Sequence, residues 1–166
     1  MKKPTDNWAE PILSSRDVCR LTGVTARQLQ WWDKRGLIRP ARQGARRAFG
    51  PADAIATLVV GELRRKGLSL QRIRRLMRRL RQELTQHEDD LRHSADWYVL
   101  TNGEALYLES SPDGVVERLK RQRKPVWLVS LSDEIARLRA FQSTGPRPLG
   151  SARRKPPIEE QPSLFD

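Results

Sequence analysis

Arg27, Gln28, Gln30 and Trp31 fall within five positions of one another. At 100° per residue on a helix, Arg27, Gln30 and Trp31 share one face, with Gln28 at its edge. Leu29 and Trp32 lie on the opposite face and can bury it. An arginine can grip guanine O6 and N7 with two hydrogen bonds, and a glutamine can do the same for adenine N6 and N7. Trp31 can pack on the sugar-phosphate backbone and donate its indole N–H to a phosphate, and Lys34 adds a cation one turn on. A second basic group follows at Arg42, Arg46 and Arg47, placed to hold neighbouring phosphates or to enter a minor groove. The chemistry expected of this set is readout of double-stranded DNA. Arg27, Gln28 and Gln30 are the expected base readers, and Trp31, Lys34, Arg42, Arg46 and Arg47 the expected backbone and wing contacts.

The charge balance points the same way. The chain has 166 residues, with 32 Lys/Arg against 20 Asp/Glu and a formal net charge of +12. Residues 1–85 hold 20 Lys/Arg and 7 Asp/Glu, and residues 86–166 hold 12 and 13. The whole cationic surplus therefore sits in the first half, which implies a basic module with a polyanionic partner and a second module with another task. Other chemistries find little support. Cys19 is the single cysteine, so an internal disulfide or a multi-cysteine zinc site is excluded, and a core role is expected for it. His87 and His93 stand among acidic residues without the grouping a metal needs. No glycine-rich phosphate loop and no nucleophile-and-base pattern is present, so neither an enzyme nor a bound cofactor is expected. No stretch approaches the ~20 apolar residues of a membrane span. A cytoplasmic, nucleoid-associated protein is the expectation, with no membrane contact.

Several elements must position these residues. Residues 1–12 read as a flexible arm. A first helix is expected over 13–22, with Ser14 as N-cap, Asp17 completing a capping box, and Leu13 and Val18 as a hydrophobic staple. Gly23 ends it. Thr25 and Gln28 form a second capping box for the helix that carries the DNA-facing set, which runs to about Arg35 and stops at Gly36. Two short helices joined by a tight glycine turn make a helix-turn-helix. The stretch from Leu37 to Gly50 loses helical periodicity and reads as a basic β-hairpin, or wing. Pro51 opens a third helix, running to about Lys66 with Ile55, Leu58, Val59 and Leu63 on one face. Ser69 caps a fourth, with Leu70, Ile73, Leu76, Met77, Leu80 and Leu84 on one stripe and six arginines between them.

Residues 13–84 resemble the DNA-binding domain of the MerR family of bacterial transcription regulators. The resemblance rests on Gly23-Val24-Thr25, Leu29-Gln30-Trp31-Trp32-Asp33, Gly36-Leu37-Ile38, Arg47-Ala48-Phe49 followed by Asp53, and Leu63 to Leu70 with Ile73. Gln30 stands where the family pattern has arginine, and Trp31-Trp32 where it has Tyr-Tyr. The resemblance implies a winged helix-turn-helix that binds promoter DNA as a homodimer, where RNA polymerase is a further possible partner. Family members dimerise through a long coiled coil. Here the apolar stripe fades near Leu84, and residues 86–95, read as a linker or frayed helical extension, add only Leu91.

Residues 96–142 are expected to form a small β-β-α-β-α module. Its strands are Trp97–Leu100, Ala105–Leu108 and Val126–Val129, with an Asn102-Gly103 turn joining the first two. Its helices run from Ser111-Pro112 to about Gln122 and from Asp133 to about Phe141. About 45 residues are marginal as a free-standing domain, so this unit is expected to pack on the first module or on a second copy. Trp97, Tyr98, Tyr107 and Trp127 are expected to pack within it. The fold class is thus mainly α: a MerR-like winged helix-turn-helix at 13–85, the small α/β module, and a proline-rich, disordered tail from 143. The tail ends in Gln161-Pro162-Ser163-Leu164-Phe165, which resembles a bacterial sliding-clamp-binding peptide. Leu164 and Phe165 would anchor it and Gln161 would supply hydrogen bonds. Two alternatives stand beside a regulator: a DNA-binding adaptor docked on the clamp, and an antitoxin-like protein that binds DNA and a partner.

Overall fold

A computed structural model describes residues 13–93 and 96–143. The expected arm and the tail residues Gln161, Leu164 and Phe165 lie outside the described residues. Seven helices and two three-stranded antiparallel sheets make up the described part.

The first helix, α1 (Ser15–Thr22), and the second, α2 (Ala26–Lys34), carry the two capping boxes that the sequence predicts. Asp17 N–H donates to Ser14 Oγ at 3.2 Å, and Asp17 Oδ2 accepts from Ser14 N–H at 3.0 Å. Each box satisfies amide donors that the first turn of a helix leaves without partners. Gly23, at φ +72°, turns the chain between the helices in a region that a side chain disfavours. Leu13 and Ser14 are extended rather than helical. They form β1 (Leu13–Ser14), which pairs with β3 (Arg46–Phe49) through Leu13↔Phe49 and Ser14↔Ala48.

β2 (Ala41–Gln43) and β3 form a hairpin in the register Arg42↔Arg47 and Gln43↔Arg46. Its two-residue turn places Gly44 at φ +61° at the first central position, as a II′ turn requires. The hairpin is shorter than the 37–50 span the sequence suggests. Leu37 and Ile38 are core residues, each 2% exposed, because Gly36 reverses the chain and Leu37 N–H closes on Trp32 O at 2.9 Å.

α3 (Pro51–Arg65) is buried along most of its length, and α4 (Leu70–Gln86) lays its apolar stripe against it. The stripe does not end at Leu84. A short helix, α5 (Glu88–His93), occupies the segment expected as linker or frayed helix, and its Leu91 is fully buried.

The C-terminal elements follow in the order β4 (Tyr98–Thr101), β5 (Leu106–Glu109), α6 (Pro112–Lys120), β6 (Trp127–Ser130) and α7 (Ser132–Ser143). The strand order is β5-β4-β6. Asn102 builds the β4–β5 turn: its Oδ1 accepts from the N–H groups of Glu104 and Ala105 at 3.0 and 2.9 Å, and Gly103 adopts φ +86°. One face of the sheet joins the core of the first module. Val99, Leu106, Val129, Leu131, Ile135 and Leu138 belong to the same buried cluster as Val18, Leu29, Trp32 and Phe49. Trp127 Nε1 also donates to Lys66 O at 3.2 Å, tying β6 to the turn between α3 and α4. A unit of marginal size as a free-standing domain thus shares its core with the helices before it. Trp97 is buried, whereas Tyr98, Tyr107 and Trp127 are half-buried, with the Arg118 guanidinium 4.3 Å from the Tyr107 ring centroid. Cys19 is half-buried and packs against the core edge, and burial pushes its thiol pKa up.

Candidate nucleic-acid interface

α2 divides into two faces. Leu29 and Trp32 are 1% and 4% exposed and seat the helix in the core. Arg27, Gln28, Gln30, Trp31 and Lys34 are all exposed on the other side. Trp31 keeps 40% of its surface open to solvent, and the Arg35 guanidinium lies 5.1 Å from its ring centroid. This cation–π contact restrains the exposed indole and places a cation beside it.

Gln28 is already engaged at the start of the helix. Its Oε1 accepts from Thr25 N–H at 3.1 Å and from Thr25 Oγ1 at 3.2 Å. Two-point recognition of adenine needs both the oxygen and the amide nitrogen. Gln28 can read a base that way only by giving up its cap, whereas among the described residues no such bond holds the side chains of Arg27 and Gln30.

The β2–β3 hairpin is tied to α2 by one carboxylate. Asp33 Oδ2 accepts from Arg42 Nη2 at 3.0 Å and from Arg47 Nε at 2.5 Å. Arg42 and Arg47 are directly opposed across the hairpin, an arrangement that like charges alone would destabilise. Asp33 resolves that repulsion and fixes both strands to the last turn of α2. Arg47 is thereby half-buried, and Arg42 and Arg46 remain exposed. The eight sequence-predicted residues thus fall on two adjoining elements, but Arg47 faces inward to Asp33. The sequence does carry a signal for Asp33 as the organiser. It is the one Asp or Glu between Asp17 and Asp53, in a stretch holding eight Lys/Arg.

The structure also adds residues that sequence spacing did not suggest. A cleft of about 220 Å³ between α2 and α3 is lined by Gln28, Trp32, Gly61, Arg64 and Arg65, with Gly23 and Val24. It brings the end of α3 beside the start of α2. At the other end of α2, Arg81 of α4 donates from Nη2 to Leu37 O at 2.6 Å. Burial lowers the Arg81 pKa, the neighbouring Arg39 lowers it further, and Asp53 opposes both. Asp53 is itself raised by burial, against a hydrogen bond from Gly50 N–H and the charge of Arg81.

Away from this face, His87 lies 3.5 Å from Glu83 and 3.6 Å from Asp90. Among the described residues no group of three His, Cys, Asp or Glu could hold a metal ion, and no helix is long and apolar enough to cross a membrane.

Comparisons with known proteins assign a family to this part of the chain. Residues 13–80 match the family described as MerR HTH family regulatory protein. They are a MerR-family helix-turn-helix domain. The match takes in β1 through most of α4, including α2, the hairpin and Asp33. Among curated proteins, the chain is similar to an uncharacterized HTH-type transcriptional regulator of Mycobacterium bovis, at 29% identity over 124 residues. Relatives with the same description in two strains of Mycobacterium tuberculosis match at the same identity. The alignment covers 70% of this chain and 52% of each relative, so the chain spans about half the length of the curated relatives it matches.

Proposed function

We propose that the chain is a sequence-specific DNA-binding transcriptional regulator of the MerR type, acting as a homodimer. α2 enters the major groove as the recognition helix of a winged helix-turn-helix, and the β2–β3 wing follows the adjacent backbone. One observation carries this reading: a doubly capped helix, seated by Leu29 and Trp32, presents Arg27, Gln30 and Trp31 outward and is fixed to a basic hairpin through Asp33. Rigid placement of base-reading groups beside phosphate-gripping groups is what specific recognition requires.

Within this reading Arg27 and Gln30 read base edges, and Gln28 holds the helix start or trades its cap for a base. Trp31, Lys34, Arg42 and Arg46 hold the backbone. Arg47 positions the wing through Asp33, and Arg64 and Arg65 approach the same strand from beside Gln28. The MerR-family domain and the regulator names of the mycobacterial relatives support the assignment. So does the placement of the cationic surplus in this half of the chain.

A chromosome-wide map of the protein at native expression tests it. A few sharp peaks over inverted repeats near promoters are expected, and they should flatten in an Arg27→Ala strain. Broad occupancy following replication forks contradicts the regulator reading. At a site found this way, Arg27→Ala should cost ~1–3 kcal/mol and relax base preference. If Arg27→Ala and Arg47→Ala both leave specific binding unchanged, the docking arrangement is wrong.

A further inference from the structure

α4 carries a basic surface that the DNA-reading face does not use. Its seventeen residues include six arginines, no lysine, and one carboxylate, Glu83, which is buried. Arg72, Arg74, Arg75, Arg78 and Arg79 are all exposed. Arg79 pairs with Glu83. Arg74 and Arg78 have no carboxylate partner among the described residues, and Arg72 and Arg75 share the field of Glu104 at the β4–β5 turn. That carboxylate is exposed and already engaged, since Lys124 Nζ donates to it at 2.8 Å. The outward half of α4 is otherwise Gln71, Gln82, Thr85 and Gln86, so it carries no negative charge.

This composition works against the helix itself. Arg74–Arg78 and Arg75–Arg79 are like-charge i,i+4 pairs, each destabilising by ~0.2–0.5 kcal/mol. Arg72 sits in the first turn, where the helix dipole disfavours a cation. A face that only needed to be solvated would mix signs and gain from i,i+4 ion pairs. Arginine in place of lysine throughout suits the forked geometry of phosphate oxygens. From Arg72 to Arg79 the helix advances ~10 Å, over which duplex DNA carries about six charges.

The location selects the polyanion. Toward its C-terminal end the face meets the base of the wing, where Arg81 bonds Leu37 O beside Arg39. Toward its N-terminal end it adjoins the turn that follows Arg64 and Arg65. The two ends of the basic surface therefore lie near opposite borders of the DNA-reading face. We propose that the arginine face of α4 binds the phosphate backbone of duplex DNA flanking the site read by α2, extending the footprint beyond the wing without reading sequence.

This inference rests on the DNA-reading role of α2 and the wing, and the two fail in different measurements. Binding of the full-length protein is measured on random-sequence duplexes of about 15 and about 40 base pairs, or roughly one and a half and four turns, across a potassium chloride series. Each phosphate contact contributes about −0.9 to the slope of log affinity against log salt. The triple substitution Arg74→Gln, Arg75→Gln, Arg78→Gln should shallow the slope by about 2–3 on the long duplex and by less than about 1 on the short one. Lysine at the same three positions should restore most of the loss; thermal unfolding should match wild type for the lysine variant and stay at or slightly above it for the glutamine variant, which loses both like-charge pairs. An unchanged slope on the long duplex overturns the proposal, and an equal loss on both lengths overturns the flanking placement. The α2 reading is tested separately, by the preference of wild type and Arg27→Ala for a selected over a scrambled duplex.

Discussion

Helices α2 and α4 are both amphipathic, both capped, and both seated in one core, yet their outward faces are built on different principles. α2 mixes arginine, glutamine and tryptophan, each able to make a different contact, and fixes them against a second element through Asp33. α4 repeats arginine along its exposed half, and among the described residues Arg81 and Arg79 are the ones of these arginines tied by a side-chain bond. A face meant to discriminate needs varied donors and acceptors at fixed positions. A face meant to hold a uniform polyanion needs charge and no fixed register. The net charge of a helix does not separate these roles; the variety of its residues and the bonds that restrain them do.

The largest effect should come from removing what both faces share. Trp32→Ala takes a 4%-exposed indole from the core beneath α2 and should cost ~3–5 kcal/mol. Thermal unfolding should then show one cooperative transition at lower temperature, because the C-terminal strands and α7 join the same cluster. Two separate transitions would mean the two halves fold independently.

Next comes Asp33→Asn. It removes a negative charge from a surface proposed to face DNA, so simple electrostatics predicts tighter binding. If Asp33 fixes the wing, affinity for a selected sequence should instead fall by ~1–2 kcal/mol, while affinity for random duplex holds or rises. Titrations on both duplexes separate the two.

Arg81→Gln sharpens the contrast within α4. Arg81 turns inward to Leu37 O, unlike Arg74 and Arg78. Its loss should destabilise the fold by ~1–2 kcal/mol, read by denaturant unfolding, and leave the salt slope of DNA binding nearly unchanged.

The smallest effect belongs to Asp53, whose carboxyl burial holds above its ordinary range. A raised carboxyl favours the neutral form in the folded state, so its contribution is present at low pH and lost as pH rises through the folded value. Relative to Asp53→Asn, the wild type should therefore gain stability as pH falls from 7 toward the ~3.9 of an unfolded aspartate. Denaturant midpoints at several pH values read this directly.

Much of this was legible in the sequence where the signal is local. The capping pairs Ser14/Asp17 and Thr25/Gln28, Pro51 at a helix start, and Asn102-Gly103 in a turn each depend on residues a few positions apart. Strand ends moved by about a residue, as in β4 and β5, because pairing partners rather than propensity set them. What local pattern could not give was long-range. Leu91 reads as a stray apolar residue until α5 folds back onto the core. Asp33 looks like a helix-end carboxylate until the hairpin brings Arg42 and Arg47 to it from nine and fourteen residues away. The approach of Arg64 and Arg65 to Gln28 depends on how α3 crosses α2, which no spacing encodes.

The central claim is that the outward face of α2 reads DNA sequence. Selection from a randomised duplex pool by the full-length protein, run side by side with Arg27→Ala, tests it most directly. The account predicts that wild type enriches an inverted repeat with a fixed half-site and that Arg27→Ala loses preference at one base pair of each half. A pool that wild type retains without enriching any sequence would contradict it.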